Sequence, residues 1–194
     1  MKKKILFSII VVTMIMTSMV SIVSAETVSW KNKLYQGTSI NYWLHSNVEY
    51  TVSIPNAIHK LMYPIGMTNR LVLKQTTVNS SSKMDFHQYD DPYTRTIAFA
   101  KSFRKNSSGN YYAMPVSEKD QFDWIYGEVH INDAIMDGFS SAEKEGTLIH
   151  EMLHVYGLKD LYHYSNQGSI MYGYRPNGVN NLTSDSNAAL NSKY

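Results

Sequence analysis

The clearest hydrophobic pattern in the chain lies between residues 140 and 157. Apolar side chains recur there at spacings of four and three residues, at Leu148, Met152 and Val155. This is the period of a helix that buries one face. Ser140 and Glu143 have the spacing of a capping box, and Gly157 can adopt the positive φ that ends a helix. The pattern predicts a helix that begins just after Ser140 and ends at Gly157.

Weaker patterns before and after this helix predict strands and two further helices. Aromatic and β-branched runs predict strands at 40–45, 71–73, 84–89, 94–103 and 124–132. Helical spacing of apolar residues predicts helices at 50–62 and 182–191. The predicted fold class is therefore α+β, with one domain over residues 40–194 and a short N-terminal arm or linker at 26–39.

The first 25 residues have a different pattern from the rest. Lys2, Lys3 and Lys4 precede an apolar run at 5–20, and Val23-Ser24-Ala25 ends the segment with small residues. This order is typical of a secretory signal peptide, so residues 1–25 are predicted to be removed on export. The apolar run nearly reaches the length of a membrane span, so an uncleaved anchor is the alternative.

Charge and cysteine content narrow the classes of partner. The whole chain has 18 basic and 16 acidic residues, and removal of the three lysines in 1–25 leaves 15 basic and 16 acidic. This near balance argues against a nucleic-acid partner and against a stable membrane partner. Cysteine is absent, so a disulfide scaffold is excluded. We expect a secreted, extracellular monomer, and export without cysteine suggests a Gram-positive bacterium.

The candidate chemistry lies within the predicted helix at 140–157. His150 and His154 are about one turn apart on one face, so both imidazoles can bind the same metal ion. Glu151 projects beside them and can hold a water. This spacing is the H-E-x-x-H arrangement of zinc peptidases, with two ligands and one general base.

A third ligand is expected just after the helix. A turn at Gly157 sends Asp160 back toward the two histidines, whereas a continuing helix would carry residue 160 past them. A carboxylate oxygen is a normal zinc ligand, and catalytic sites with two histidines and one carboxylate are established. His163 is the alternative third ligand. A structural zinc site that also uses His163, with all four positions filled, is a further alternative.

At these residues the chain resembles the metzincin clan, whose signature is H-E-x-x-H-x-x-G-x-x-H followed by a Met-turn. The segment 150–157 matches the first eight positions, and 168–174 resembles the Met-turn, with Met171 as its methionine. Asp160 replaces the third histidine. That variant resembles the small secreted proteases of the snapalysin type, in which the aspartate completes the zinc site. The surrounding sequence looks more like the matrixin family.

The resemblance implies a fold, a cofactor and an activity. The fold would be a twisted mixed sheet with an active-site helix, a second packing helix and a C-terminal helix after the Met-turn. One catalytic zinc ion would be held by His150, His154 and Asp160, with Met171 beneath it. The implied function is a secreted zinc endopeptidase that hydrolyses peptide bonds through a zinc-bound water, with Glu151 as the general base.

The strand at 126–132 resembles the matrixin edge strand that precedes the zinc helix. In that family a substrate backbone adds to this strand, so the implied partner is an extended peptide or protein. A non-catalytic zinc-containing module that grips a peptide is the alternative function, although the intact Glu151 argues against it. Calcium binding is possible in this clan, but the acids at 90, 91 and 185 are too isolated to predict a site for it. Bound calcium is therefore left open.

Overall fold

The computed structural model describes residues 28–174 and 178–194. The predicted signal peptide at 1–25 lies outside the described residues. Within the described part of the chain, none of the helices combines the length and the apolarity that a membrane span requires.

A six-stranded mixed sheet forms the centre of the fold. Its strands are β1 (Ser39–Leu44), β2 (Val72–Gln75), β3 (Met84–Tyr89), β4 (Ala98–Lys105), β5 (Tyr111–Ala113) and β6 (Tyr126–Asn132). Their order across the sheet is β2-β1-β3-β6-β4-β5. The first four strands in that order are parallel, whereas β4 is antiparallel to both β6 and β5.

Four α-helices accompany the sheet in the described residues. They are α1 (Ser53–Met62), α2 (Asp133–Met136), α3 (Ser141–Tyr156) and α4 (Ser184–Lys193). α3 packs against α1 and against β4 and β6. Gly127 in β6 leaves space that Val155 of α3 fills, because a Cβ at residue 127 would collide with the valine side chain. The predicted apolar face of α3 is buried, with Leu148, Met152 and Val155 fully inaccessible to solvent.

The α+β class is confirmed, and so are the main predicted elements. The strand predicted at 94–103 begins later, at Ala98, because the Asn132 side chain holds the preceding loop. Its amide donates to the carbonyls of Asp91 and Thr96, each at 2.9 Å. The short elements β5 and α2 were not predicted, since each is too short to show a period.

The prediction that 126–132 is an edge strand is wrong. β6 lies inside the sheet, paired with β3 on one side and with β4 on the other. A strand's own sequence does not say which strands flank it, and the resemblance supplied the wrong neighbour. The sheet edge beside α3 is formed by the first half of β4 instead. Because β5 pairs only with 103–105, residues 98–101 have no ladder partner on their outer side among the described strands.

Both ends of the described chain pack against the C-terminal end of α3. Trp30 N–H donates to the Gly157 carbonyl at 2.9 Å, and Lys159 N–H donates to the Val28 carbonyl at 2.7 Å. From the other end, the Tyr194 hydroxyl donates to the Tyr156 carbonyl at 3.0 Å. These contacts fix the backbone that leads from α3 to residue 160.

Candidate metal centre

The local sequence sets both ends of α3 as predicted. The Ser140 side chain accepts a hydrogen bond from Glu143 N–H, and the Glu143 carboxylate accepts one from Ser140 N–H, which completes the capping box. Gly157 ends the helix with φ of 99°. Leu158 N–H then donates back to the Leu153 carbonyl at 2.9 Å, which satisfies the last turn and reverses the chain.

The reversed chain brings Asp160 to the two histidines. His150 Nε2 lies 3.1 Å from His154 Nε2 and 3.1 Å from Asp160 Oδ1, and His154 Nε2 lies 3.4 Å from the same oxygen. Ligand atoms about 2.0–2.1 Å from a tetrahedral metal ion are about 3.3 Å apart, so the three donor atoms fit one face of a zinc tetrahedron. Within the described residues, this group could hold a metal ion.

Two backbone carbonyls determine which ring nitrogens face this group. His150 Nδ1 lies 2.7 Å from the Ile170 carbonyl, and His154 Nδ1 lies 2.9 Å from the Leu158 carbonyl. A carbonyl only accepts, so each Nδ1 carries the proton and each Nε2 presents a lone pair. Two lone pairs and a carboxylate oxygen then converge on one point. Such a set of acceptors needs a cation, and ligand histidines are commonly held this way.

Asp160 is held in its charged form. Burial raises its pKa, but the neighbouring imidazoles of His150 and His154 lower it more strongly, and the net pKa is well below the ordinary value. Its second oxygen, Oδ2, accepts a hydrogen bond from the Tyr162 hydroxyl at 3.2 Å. The alternative third ligand, His163, lies outside the donor group; it is exposed and its Nδ1 is 2.7 Å from the Ser165 hydroxyl.

The predicted Met-turn lies directly beside the ligands. Met171 is fully buried, and its carbonyl accepts from Leu161 N–H at 2.8 Å. Gly173 N–H returns a hydrogen bond to the Leu161 carbonyl at 3.0 Å. These two bonds fix the segment whose Ile170 carbonyl orients His150.

A cavity of about 660 Å³ opens onto the donor group. His150, His154, Asp160 and Glu151 all line it, and Glu151 is only 7% exposed. Residues 95–100, which include the start of β4, form another wall. A wide cleft with a few converging polar groups is the usual form of a ligand site. The arrangement provides a metal-binding group, a neighbouring carboxylate and a free strand edge around one space.

Three groups in or beside this cavity were not predicted from the sequence. Thr147 presents a buried hydroxyl without a hydrogen-bond partner among the described residues, and Lys119 is a buried cation in the wall. Tyr162 lies beside the cavity and donates to Asp160 Oδ2. Thr147 lies one turn before Glu151 on α3, so helical spacing could have pointed to it. No local signal marks Lys119, because its surroundings include residues distant in sequence, such as Trp30.

Other polar clusters do not form a comparable donor set in the described residues. His130 was not predicted to be a ligand, and its Nε2 pairs with Glu128 at 2.8 Å. Asp185 accepts a hydrogen bond from the Ser169 hydroxyl at 2.5 Å. These contacts are ordinary side-chain pairings, and they add no evidence for bound calcium.

Comparison with protein-family sequence models and with curated proteins gives no match for this chain. What the structure shows is an α+β fold with a six-stranded mixed sheet and a His-His-Asp group that could hold a metal ion. Membership of the metzincin clan stays a prediction.

Proposed function

We propose that this chain is a secreted zinc-dependent endopeptidase of the metzincin type. The observation that carries the proposal is the convergence of three metal-donor atoms within 3.1 to 3.4 Å of one another, with Glu151 in the same cavity. Two imidazole nitrogens with one carboxylate oxygen is a donor set that catalytic zinc sites use. The open cleft beside it supports a site with a free position for chemistry rather than a closed structural site.

The residues of the chain have separate roles in the proposed mechanism. His150, His154 and Asp160 would hold the zinc ion, which would polarise the scissile carbonyl and lower the pKa of a water molecule. Glu151 accepts the proton that water loses as its oxygen attacks the carbonyl carbon. It then gives this proton to the nitrogen as the C–N bond breaks.

The substrate is an extended peptide that pairs with β4. Residues 98–101 of β4 offer unpaired N–H and C=O groups along the cavity, and a sheet edge of this kind accepts an added strand. Antiparallel addition is the more stable arrangement, so the peptide runs opposite to β4. Its amino-terminal side then lies toward Ser102 and its carboxyl-terminal side toward Arg95.

The free edge also favours a second function, a zinc-containing module that binds a peptide without cutting it. Both functions need the cleft and the edge, but only hydrolysis needs a carboxylate beside the metal group. The position of Glu151 therefore supports the peptidase.

A casein hydrolysis assay on the purified secreted protein, combined with metal analysis, tests the proposal. We expect one zinc ion per chain, hydrolysis that a chelator abolishes and added zinc restores, and loss of both metal and activity in Asp160→Ala. Stoichiometric zinc without hydrolysis of casein or gelatin would favour the binding module. Protein that retains no metal from a zinc-containing buffer would overturn both functions.

A further inference from the structure

A buried lysine lies in the wall of the cleft. Lys119 follows a single 3₁₀ turn at Val116–Glu118 and is only 8% exposed. It lines the same cavity as Glu151 and Asp160. Burial lowers its pKa, and the two carboxylates act in the opposite direction. A lysine is rarely buried to this extent unless it has a partner.

Lys119 has no anionic partner within the described residues. No carboxylate among them lies within 4.0 Å of its ammonium, whereas buried Glu145 is paired with Lys60 at 2.8 Å. The ammonium lies instead 5.9 Å from the ring centroid of Trp30 and 5.7 Å from that of Trp124. Cation–π contacts stabilise the charge without neutralising it. The ammonium therefore keeps the capacity to donate to an incoming anion.

The neighbouring lysine does not have this freedom. Lys159 also lines the cavity, and its Nζ lies 4.3 Å from the Trp30 ring centroid. However, its ammonium is 3.8 Å from Asp120 Oδ2, which offsets part of its charge. Lys119 is thus the stronger anion-binding group of the two.

The position of Lys119 along the cleft follows from the backbone. Met114 N–H donates to the Ser102 carbonyl at 2.7 Å, so the chain that leads to Lys119 leaves β4 at the Ser102 end of the free edge. Arg95 lines the cavity at the other end of that edge. If a peptide pairs antiparallel with β4, Lys119 lies toward the amino-terminal end of that peptide.

We propose that Lys119 is a specificity residue that binds the carboxylate of an aspartate or glutamate side chain on the amino-terminal side of the scissile bond. The proposal rests on the proposed peptidase function and names its substrate class. The Trp30 and Trp124 rings lie near the ammonium, and the low exposure of Lys119 limits its contact with water, which strengthens a charge-assisted hydrogen bond. One such bond is worth about 10-fold to 100-fold in kcat/KM.

A series of quenched-fluorescent peptides tests this assignment. One glutamate is moved through the three positions on each side of a fixed cleavable bond, and each peptide has a glutamine-matched partner. The wild-type enzyme should cut the glutamate peptide about 10-fold to 100-fold better than its partner at one position on the amino-terminal side. Free and amidated C-termini should be cut equally. A preference for glutamate after the bond, or for a free C-terminus, would overturn the assignment.

Three variants separate charge recognition from a structural role. Lys119→Met keeps an unbranched side chain of similar size without the charge and should reduce the glutamate preference to about 1. Lys119→Glu should reverse it and favour a lysine peptide at the same position, which a merely destabilised protein would not do. Lys105→Met is the matched control, since Lys105 is an exposed lysine over the Tyr111 ring at 4.9 Å, outside the cavity. It should leave the preference unchanged.

The role of Lys119 and the peptidase function can be disproved separately. If wild-type protein cuts casein but treats glutamate and glutamine peptides alike, the role of Lys119 is wrong and the peptidase stands. If nothing is cut, the peptidase is wrong. Fluorescence anisotropy can then still measure whether Lys119→Met weakens binding of the glutamate peptide relative to the glutamine peptide, and equal binding to both would overturn the role of Lys119 independently of activity.

Discussion

At the scale of single residues, the backbone carbonyls of Ile170 and Leu158 orient the two histidines of the proposed metal site. Each accepts the Nδ1 proton of one histidine, at 2.7 and 2.9 Å, and thereby turns both Nε2 lone pairs toward Asp160 Oδ1. The site is thus assembled from donors whose orientation is fixed before any metal arrives. Fixed donors lose little conformational entropy on binding, which favours high affinity.

Glu151 can be separated from the metal group by substitution. Glutamine has the same size as glutamate but cannot take up a proton, so Glu151→Gln should fold and bind zinc as the wild type does. Its kcat should fall by a factor of about 100 or more, the usual contribution of a general base. Casein hydrolysis measured beside zinc content checks this, and Glu118→Gln is a control away from the donor group. Unchanged turnover in Glu151→Gln would exclude it as the base.

Tyr162 offers a test of how Asp160 is oriented. Its hydroxyl donates to Asp160 Oδ2 at 3.2 Å, which leaves Oδ1 for the metal. Tyr162→Phe removes the hydroxyl and keeps the ring. The ring packs on Gly173, where a Cβ would collide with it. Loss of a bond of this kind typically weakens metal affinity about 10-fold to 100-fold. Competition with a zinc-binding dye measures the change, and Tyr164→Phe, two residues further along the loop, should have no effect.

At the scale of elements, the turn after α3 determines whether Asp160 can reach the two histidines. Gly157 has φ of 99°, and a Cβ there would lie 3.0 Å from the Asn32 carbonyl oxygen and 3.2 Å from the Trp124 ring. Both the backbone conformation and the space therefore require glycine. The segment around Trp30 is packed so closely on this turn that it serves as a support for Asp160.

Gly157→Ala should consequently damage both stability and metal binding. A left-handed residue with a Cβ costs about 1–2 kcal/mol, and the contact with Asn32 adds to that. We expect a lower denaturant midpoint and weaker zinc binding, because relief of the strain moves residue 160. Gly138→Ala is the matched control, since its Cβ would meet only the Ile135 carbonyl at 3.8 Å. Equal zinc affinity in Gly157→Ala and wild type would show that the turn does not position Asp160.

The elements also show what a sequence can and cannot predict. The capping box, the apolar face of α3 and the glycine at its end are local signals, so the helix and the return of Asp160 could be predicted. The internal position of β6 could not, because its neighbours β3 and β4 come from elsewhere in the chain. Lys119 could not be predicted for the same reason, because its ammonium lies near the rings of Trp30 and Trp124, which are far apart in sequence.

At the scale of the whole molecule, the two ends of the described chain are joined beside the site. The ammonium of Lys193, at the end of α4, donates to the Trp30 carbonyl at 2.5 Å and to the Asn32 carbonyl at 2.9 Å. Burial, together with the nearby charge of Lys33, lowers the pKa of Lys193 to about 8. The charged form of this lysine is therefore disfavoured in the folded protein.

This depressed pKa predicts how stability depends on pH. Between about pH 8 and the ordinary lysine value of 10.5, the unfolded chain holds a proton on residue 193 that the folded chain lacks. Ionisation of Lys193 therefore destabilises the fold below about pH 8, and this penalty is relieved as pH rises from 8 to 10.5. In urea unfolding, the free energy of unfolding of wild type minus that of Lys193→Met should rise from pH 8 to 10.5. A wild-type stability that stays constant or falls relative to Lys193→Met over this range would contradict the pKa.

The three proposed ligands lie within one short stretch, from His150 to Asp160. A metal ion bound there cross-links only the end of one helix and the turn after it. Closing so small a loop removes little entropy from the unfolded chain, so the metal adds little to the stability of the fold. The strand pairing in the sheet and the packing of α3 on α1 do not depend on the metal. We therefore expect that chelation leaves the secondary structure intact, so that the chain can fold first, remain inert while zinc is scarce, and become competent when the ion is supplied from outside.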